Sequence, residues 1–297
     1  MRGNERITVF TPAYNRAHTL PRTYESLCNQ TDKRFVWMIV DDGSKDNTRE
    51  LVDSWIAKDV GFSIEYYYKE NGGMHTAHNV AYEHIRTELN VCIDSDDAMP
   101  PTAIEDILNF WDEKGSPDIA GIIALDSDLE GKLIGSGMPK EIEYATTDEL
   151  YDVYGVSGDK KYIYRTDIIT SVAPYPEYEG EKLVPLGYKY ILVADHYKMA
   201  LMDKVVCLEE YQADGSSNTI YRQYLQSPRG FAISKTLRMT RSKAYKNRVK
   251  NIAFYVAECR IAKDKNWLKN SPLKLETVLY YPLGIIFHWH ILWKNKH

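Results

Sequence analysis

The strongest constraint on the fold is an alternation that runs through the first 125 residues. Short apolar runs at 7–11, 35–40, 63–68, 91–93 and 119–125 take turns with segments whose apolar residues recur at helical spacing. Leu20, Tyr24, Leu27 and Cys28 mark the first helical face, and Leu51, Val52, Trp55 and Ile56 the second. Ala77, Val80, Ala81 and Ile85 mark a third, and Ile104, Ile107, Leu108 and Trp111 a fourth. Asp46 or Asn47 is expected to cap the second helix, and Thr102 with Glu105 to form a capping box on the fourth. Such repetition predicts an α/β fold built on a mostly parallel sheet covered on both faces. Ligands bind such sheets beyond the carboxyl ends of the strands. Those ends carry residues 11–15, 41–44, 70–73 and 94–97, which are polar and rich in turn formers. Four polar segments are therefore expected on one edge of the sheet.

The most informative segment is Asp94-Ser95-Asp96-Asp97, directly after an apolar run. Three close carboxylates repel one another unless a cation sits between them. Hard oxygen ligands suit Mn2+ or Mg2+, which take further ligands from phosphates, so a diphosphate-bearing substrate is the natural partner. A solvated acidic turn with helix-capping aspartates is the plain alternative. An EF-hand loop is excluded, because its turn glycine is Met99 here and Pro100-Pro101 interrupts it. Asp41-Asp42-Gly43-Ser44 is an ordinary turn sequence by itself. Its place after an apolar strand makes it a candidate to accept a hydrogen bond from the ring NH of a pyrimidine base.

Bulk properties narrow the partners. The net charge of −5 disfavours a general nucleic-acid binder. Cys28, Cys92, Cys207 and Cys259 have neither metal nor redox spacing, which fits a reducing cytoplasm. No leader segment or long apolar span is read from the sequence. The first turn lacks G-x-G-x-x-G, against a dinucleotide-dependent dehydrogenase. It also lacks the glycine- and cation-rich loop that a nucleotidyltransferase uses on a triphosphate.

Taken in order, Thr11-Pro12-Ala13-Tyr14-Asn15, Val40-Asp41-Asp42-Gly43-Ser44, Asn71-Gly72-Gly73 with Ala77 and Asn79, and Asp94-Ser95-Asp96-Asp97 resemble the family 2 glycosyltransferases. The resemblance implies a GT-A fold: a Rossmann-like nucleotide-binding sheet, a mixed acceptor-side half and, here, a helical C-terminal extension. The expected division is a catalytic domain at 1–230, with a donor half at 1–125 and an acceptor half at 126–230, followed by an extension at 231–297. The implied reaction is inverting transfer of a sugar from a nucleotide-sugar, by family frequency a UDP-sugar, to a hydroxyl of a glycan or lipid-linked acceptor. Bacterial cell-surface polysaccharide or glycolipid synthesis is the implied setting. Carried over by residue, Tyr14 beside Thr11, Pro12 and Ala13 packs on the base, and Asp42 hydrogen-bonds it. Lys69, Gly73, Asn79, Asp94 and Ser95 lie around the donor. Asp96 lies near ribose and metal, and Asp97 is the main metal ligand. His75 and His78 are assigned to packing or donor contact, since no third ligand is apparent. Asp195 matches the position of the family's catalytic base, ahead of a helical-looking segment at 198–202, although Ala194 stands where the family has Glu. A helix N-cap is the plain role for Asp195. No tryptophan follows an arginine, so the Gln-x-x-Arg-Trp motif of processive members is absent and single-sugar addition is expected. A degenerate protein that only binds sugar nucleotide or glycan is the non-enzymatic alternative.

The C-terminal end reads separately. Residues 238–250 are basic, and 275–293 are apolar and aromatic, broken by Pro282 and Gly284. Peripheral contact with the cytoplasmic leaflet of the plasma membrane is one reading. A helix packed on the catalytic domain, or on the partner in a homodimer, is the other.

Overall fold

The computed structural model describes residues 3–210, 219–242 and 244–296. The chain divides into two compact units, residues 1–174 with 192–211, and residues 175–191 with 212–297. The boundary expected at 230/231 falls inside a continuous helix, Pro228–Arg241.

The first unit opens with the expected alternation. It runs β1 (Ile7–Ala13), α1 (Leu20–Cys28), β2 (Phe35–Asp41), α2 (Thr48–Ile56), β3 (Ser63–Tyr68), α3 (Met74–His84), β4 (Leu89–Cys92) and α4 (Ala103–Lys114). Then come β5 (Ile119–Asp128), β6 (Tyr144–Ala145), α5 (Thr147–Asp152), β7 (Lys160–Arg165) and α6 (Thr166–Ser171). Helix α7 (Gly187–Ala194), which begins in the second unit and ends in the first, precedes β8 (Lys198–Glu209) of the first unit. The eight strands form one sheet in the order β3-β2-β1-β4-β7-β5-β8-β6. Strands β1 to β4 are mutually parallel. Strand β7 runs antiparallel to both β4 and β5, and β8 is parallel to β5. The sheet is therefore mixed in its second half. Every residue of β1 and β2 is buried, as a central strand covered on both faces requires. Their side chains pack with Leu20, Leu27, Trp55, Ile104 and Trp111 from the helices into one core.

Three local expectations are corrected. The segment 198–202 is the start of β8, because pairing with β5 on one side and β6 on the other overrides its helix-forming residues. Asp195 consequently follows α7 rather than capping a helix. The Thr102–Glu105 capping box does not form: Thr102 donates to Asp106, and Glu105 accepts from Thr31. At α2, Asn47 is the N-cap but makes no side-chain cap, whereas Asp46 accepts from the Thr48 amide at 3.1 Å.

The second unit holds α8 (Ile220–Gln226), α9 (Pro228–Arg241), α10 (Tyr245–Ile261), α11 (Trp267–Asn270), α12 (Lys274–Leu279) and α13 (Tyr281–Lys294). Helix α10 packs against α9 and α13 around Met239, Ile252, Tyr255, Val256 and Cys259. Gly284 allows the close approach of α13, since a Cβ there would lie 2.4 Å from Val256.

Candidate active site

Because β1 to β4 are parallel, their carboxyl ends share one rim. Strand direction adds more to that rim than the motifs do. Reversal at β7 and again at β5 brings the ends of β5 and β8 to the same rim, together with the beginning of β7. Asp126, Cys207, Glu209 and Lys161 thereby join the four expected segments.

Asp42 organises the donor-side loop. Its carboxylate is buried and accepts from Lys69 Nζ at 2.7 Å, Asn71 Nδ2 at 2.9 Å, the Gly72 amide at 2.8 Å and the Gly73 amide at 2.7 Å. Four donors occupy both oxygens, so Asp42 ties residues 69–73 to the end of β2 in this state. Gly43 lets the two loops touch: its φ is +84°, and a Cβ would meet the Asn71 nitrogen at 2.7 Å. Asn15, with φ of +56°, turns the end of β1 toward the same loop. Its amide donates to Ser44 Oγ, and its side chain accepts from the Lys45 amide.

The acidic turn divides in two. Asp94 and Asp96 stay partly exposed, whereas Asp97 is only 5% exposed. The Asp97 carboxylate lies 3.7 Å from Lys161 Nζ, which is also 3.4 Å from Glu209 Oε1. Burial pushes the Asp97 carboxyl up to about 8, against the pull of Lys161 and with Asp94, Glu209 and Asp96 adding to the rise. Burial likewise pushes the Asp126 carboxyl well up, against the pull of Lys161. Lys161 is held well above its ordinary value despite burial, because Asp126, Cys207, Asp97 and Asp94 surround it. Asp97, Cys207 and Glu209 lie close enough together to share a metal ion. The Lys161 ammonium already supplies positive charge there, and burial pushes the Cys207 thiol up, away from the thiolate a metal prefers. Within the turn, Asp94 and Asp96 are the carboxylates that solvent reaches. Burial first, then Asp94, raises Asp96 as well, the mark of neighbouring like charge. Arg22 fixes the turn from behind, donating to the Asp96 carbonyl and to Glu210, and Thr23 donates to the Asp97 carbonyl.

The other predicted residues separate into those at the rim and those that are not. Tyr14 stands at the end of β1, 44% exposed, as a flat apolar surface. Ala13 accepts the Asp42 amide through its carbonyl, and Pro12 pairs with Val40 in the sheet. Thr11 is wholly buried, and its hydroxyl accepts from the Trp37 indole inside the core. Its side chain offers a donor molecule nothing. Lys69 and Gly73 lie in the loop tied by Asp42, Asn79 is half-buried on α3, and Ser95 is buried in the acidic turn. His78 packs edge-on against Phe10 with ring centres 4.9 Å apart, and His75 is buried in the same helix. Asp195 is not brought to this group. Lys198 pairs with Ile119 at the start of β5, whereas Cys207 and Glu209 pair with its far end. Lys198 and Cys207 stand opposite residues seven strand steps apart on β5, roughly 23 Å, and the three residues from 195 to 198 cannot fold back over that distance.

Lys161, Asp126 and Glu209 escaped the sequence reading. A lysine at the head of an alternating strand, facing a strand that ends in aspartate, was the available signal.

Known proteins resemble this chain in sequence and in fold. The family described as Glycosyl transferase family 2 matches residues 8–155. A glycosyltransferase of Rickettsia conorii is 33% identical over 123 residues, 40% of this chain and 20% of that protein. The glycosyltransferase GlyG of Streptococcus pneumoniae is 30% identical over 119 residues, 40% of this chain and 39% of that protein. An undecaprenyl-phosphate 4-deoxy-4-formamido-L-arabinose transferase of Shewanella sediminis is 26% identical over 105 residues, 34% of this chain and 32% of that protein. The chain thus spans between 20% and 39% of the length of these relatives. Among solved structures, S. aureus TarS in complex with UDP-GlcNAc superposes with a TM-score of 0.61 at 18% identity, covering 96% of this chain and 92% of that one. The mannosyltransferase PcManGT of Pyrobaculum calidifontis, in complex with GDP-Man and Mn2+, gives 0.54 at 15% identity, covering 94% and 87%. These likenesses establish a shared fold.

Proposed function

We propose that this chain, which through residues 8–155 belongs to glycosyl transferase family 2 and has the GT-A fold, transfers one sugar from a nucleotide-sugar to an acceptor hydroxyl with inversion at the anomeric carbon. The observation that carries the reading is the rim itself. An exposed aromatic, a loop tied through Asp42 and a pair of open carboxylates lie at the carboxyl ends of parallel strands. Tyr14 stacks on the base. The loop 69–73 shapes the donor pocket, and Asp94 and Asp96 face the diphosphate. Asp96, with Asp94 beside it, would hold Mn2+ or Mg2+, which when bound offsets charge on the departing diphosphate. Asp97 supports the turn from its inner side through Lys161. We assign Asp195 no part in the chemistry, and the proton of the attacking hydroxyl passes to water as its oxygen bonds the anomeric carbon and the diphosphate leaves. UDP-sugars are the favoured donors, and a lipid-linked acceptor of cell-surface glycan synthesis at the inner face of the plasma membrane fits a relative that acts with undecaprenyl phosphate.

The test is a panel of nucleotide-sugars with Mn2+ or Mg2+, read as release of nucleoside diphosphate and as the anomeric configuration of the product. Metal-dependent release with an inverted product is expected. Binding of donors without any turnover would instead favour a degenerate binder, and retention of configuration would refute the inverting assignment.

A further inference from the structure

Charge is distributed very unevenly along the chain. Residues 219–297 hold 16 Lys and Arg against 3 Asp and Glu, a net of +13, although the whole protein carries −5. Two of those three acids are already engaged or hidden: Glu276 pairs with Arg248 at 3.3 Å, and Glu258 is wholly buried. Helix α13 has no acidic residue at all.

Within this basic stretch, α12 and α13 each present a stripe of apolar side chains to solvent. Leu275, Val278 and Leu279 on α12, and Ile286, Trp289 and Trp293 on α13, fall at helical spacing, and all are more than half exposed, with Leu275 at 88%. The opposite side of α13 is also apolar and is already in use. Gly284 and Ile291 are buried, and Phe287 packs on Phe254 with ring centres 4.7 Å apart. A helix that is apolar on two sides needs cover on both. Exposed Lys274, Lys294 and Lys296 flank the stripe. No helix among the described residues is long and apolar enough to cross a membrane.

We infer that this stripe is a docking surface for an anionic lipid membrane, on which α12 and α13 lie flat. Tryptophans seat at the headgroup level, the aliphatic residues enter the acyl boundary, and the lysines meet lipid phosphates. Like charge opposes the pairing of this face with its own copy, and contact with the acidic first unit of another copy would show as concentration-dependent association in the test below. The inference deepens the proposed function and rests on it only for the choice of a lipid-linked acceptor. Vesicle binding is read without donor or acceptor, so the two readings fail separately.

The experiment is co-sedimentation of the full chain with vesicles of phosphatidylcholine alone or with phosphatidylglycerol at about 30 mol%. Binding to the anionic vesicles is expected to exceed binding to neutral ones at least about tenfold and to fall as salt screens the lysines. Trp289→Glu with Trp293→Glu should cost about tenfold or more, with an unchanged thermal transition because both rings are exposed. Lys294→Glu with Lys296→Glu, which leaves the apolar stripe intact, should weaken anionic binding alone. Equal binding to neutral and anionic vesicles, or no loss in the tryptophan variant, overturns the inference. So does a concentration-dependent dimer that the tryptophan variant abolishes.

Discussion

Asp42→Ala tests whether the donor loop is held by a single carboxylate. The substitution removes the acceptor of two side-chain donors and of two backbone amides. A hydrogen bond to a charged group contributes about 1.5–3 kcal/mol, and a buried pair broken on one side costs about 3–5 kcal/mol. These values do not add, because the four donors share one partner. Lys69 is also about one-fifth exposed and can turn to water. A loss of about 3–4 kcal/mol is therefore expected. In a unit of about 200 residues that lowers Tm by about 10 °C. Urea unfolding without nucleotide should show a lower midpoint with an unchanged slope. Lys69→Met keeps the two amide contacts and should cost only about 1 kcal/mol. If Asp42→Ala unfolds within about 1 kcal/mol of the wild type, the carboxylate does not hold the loop, and Asp42 is free to serve the base directly.

The remaining predictions concern the acidic turn and Asp195. Asp195→Asn should keep turnover within about threefold of the wild type, whereas Asp96→Ala should raise the metal concentration needed for half-maximal turnover at least about tenfold; the reverse order would reinstate Asp195. In metal-free protein, Asp97 binds its proton up to about pH 8, whereas the unfolded chain releases it near pH 4. The folded state then holds the extra proton between those values, so this group lowers stability as pH rises through the window. Asp97→Asn should accordingly gain in Tm relative to the wild type on going from about pH 5 to pH 8, and an unchanged difference refutes the assignment. At about pH 9, where Asp97 is ionised, Lys161→Met leaves Asp97 and Glu209 without their shared ammonium and should cost about 3 kcal/mol by urea unfolding, with a loss below about 1 kcal/mol counting against the pair.

What the sequence disclosed follows from periodicity. β1 to β4 and their helices are legible because burial imposes one spacing on strands and another on helices, and the polar stops between them mark the rim. The Asp42 loop and the Asp94 turn were found that way. Direction is a different matter. Nothing local in Lys160–Arg165 says that β7 runs against its neighbours, yet that reversal brings Lys161, Asp126 and Glu209 to Asp97. The segment that follows Asp195 departs from its expected helix for a related reason. Residues 198–202 are good helix formers, and only the partners on either side make them a strand. Thr11 looked functional because it opens a motif, but alternation along β1 sends its hydroxyl to Trp37.

Lys160 and Lys161 show how little freedom the start of β7 has. Lys160 donates to the carbonyls of Ile134, Ser157 and Asp159, while its neighbour points into the acid cluster from the other side of the pleat. Two like residues, one step apart, thus serve different masters. Deleting a single residue ahead of them would exchange their faces and leave the cluster opposite a tyrosine or a displaced ammonium. Evolution and engineering can change the chemistry of that connection far more readily than its length.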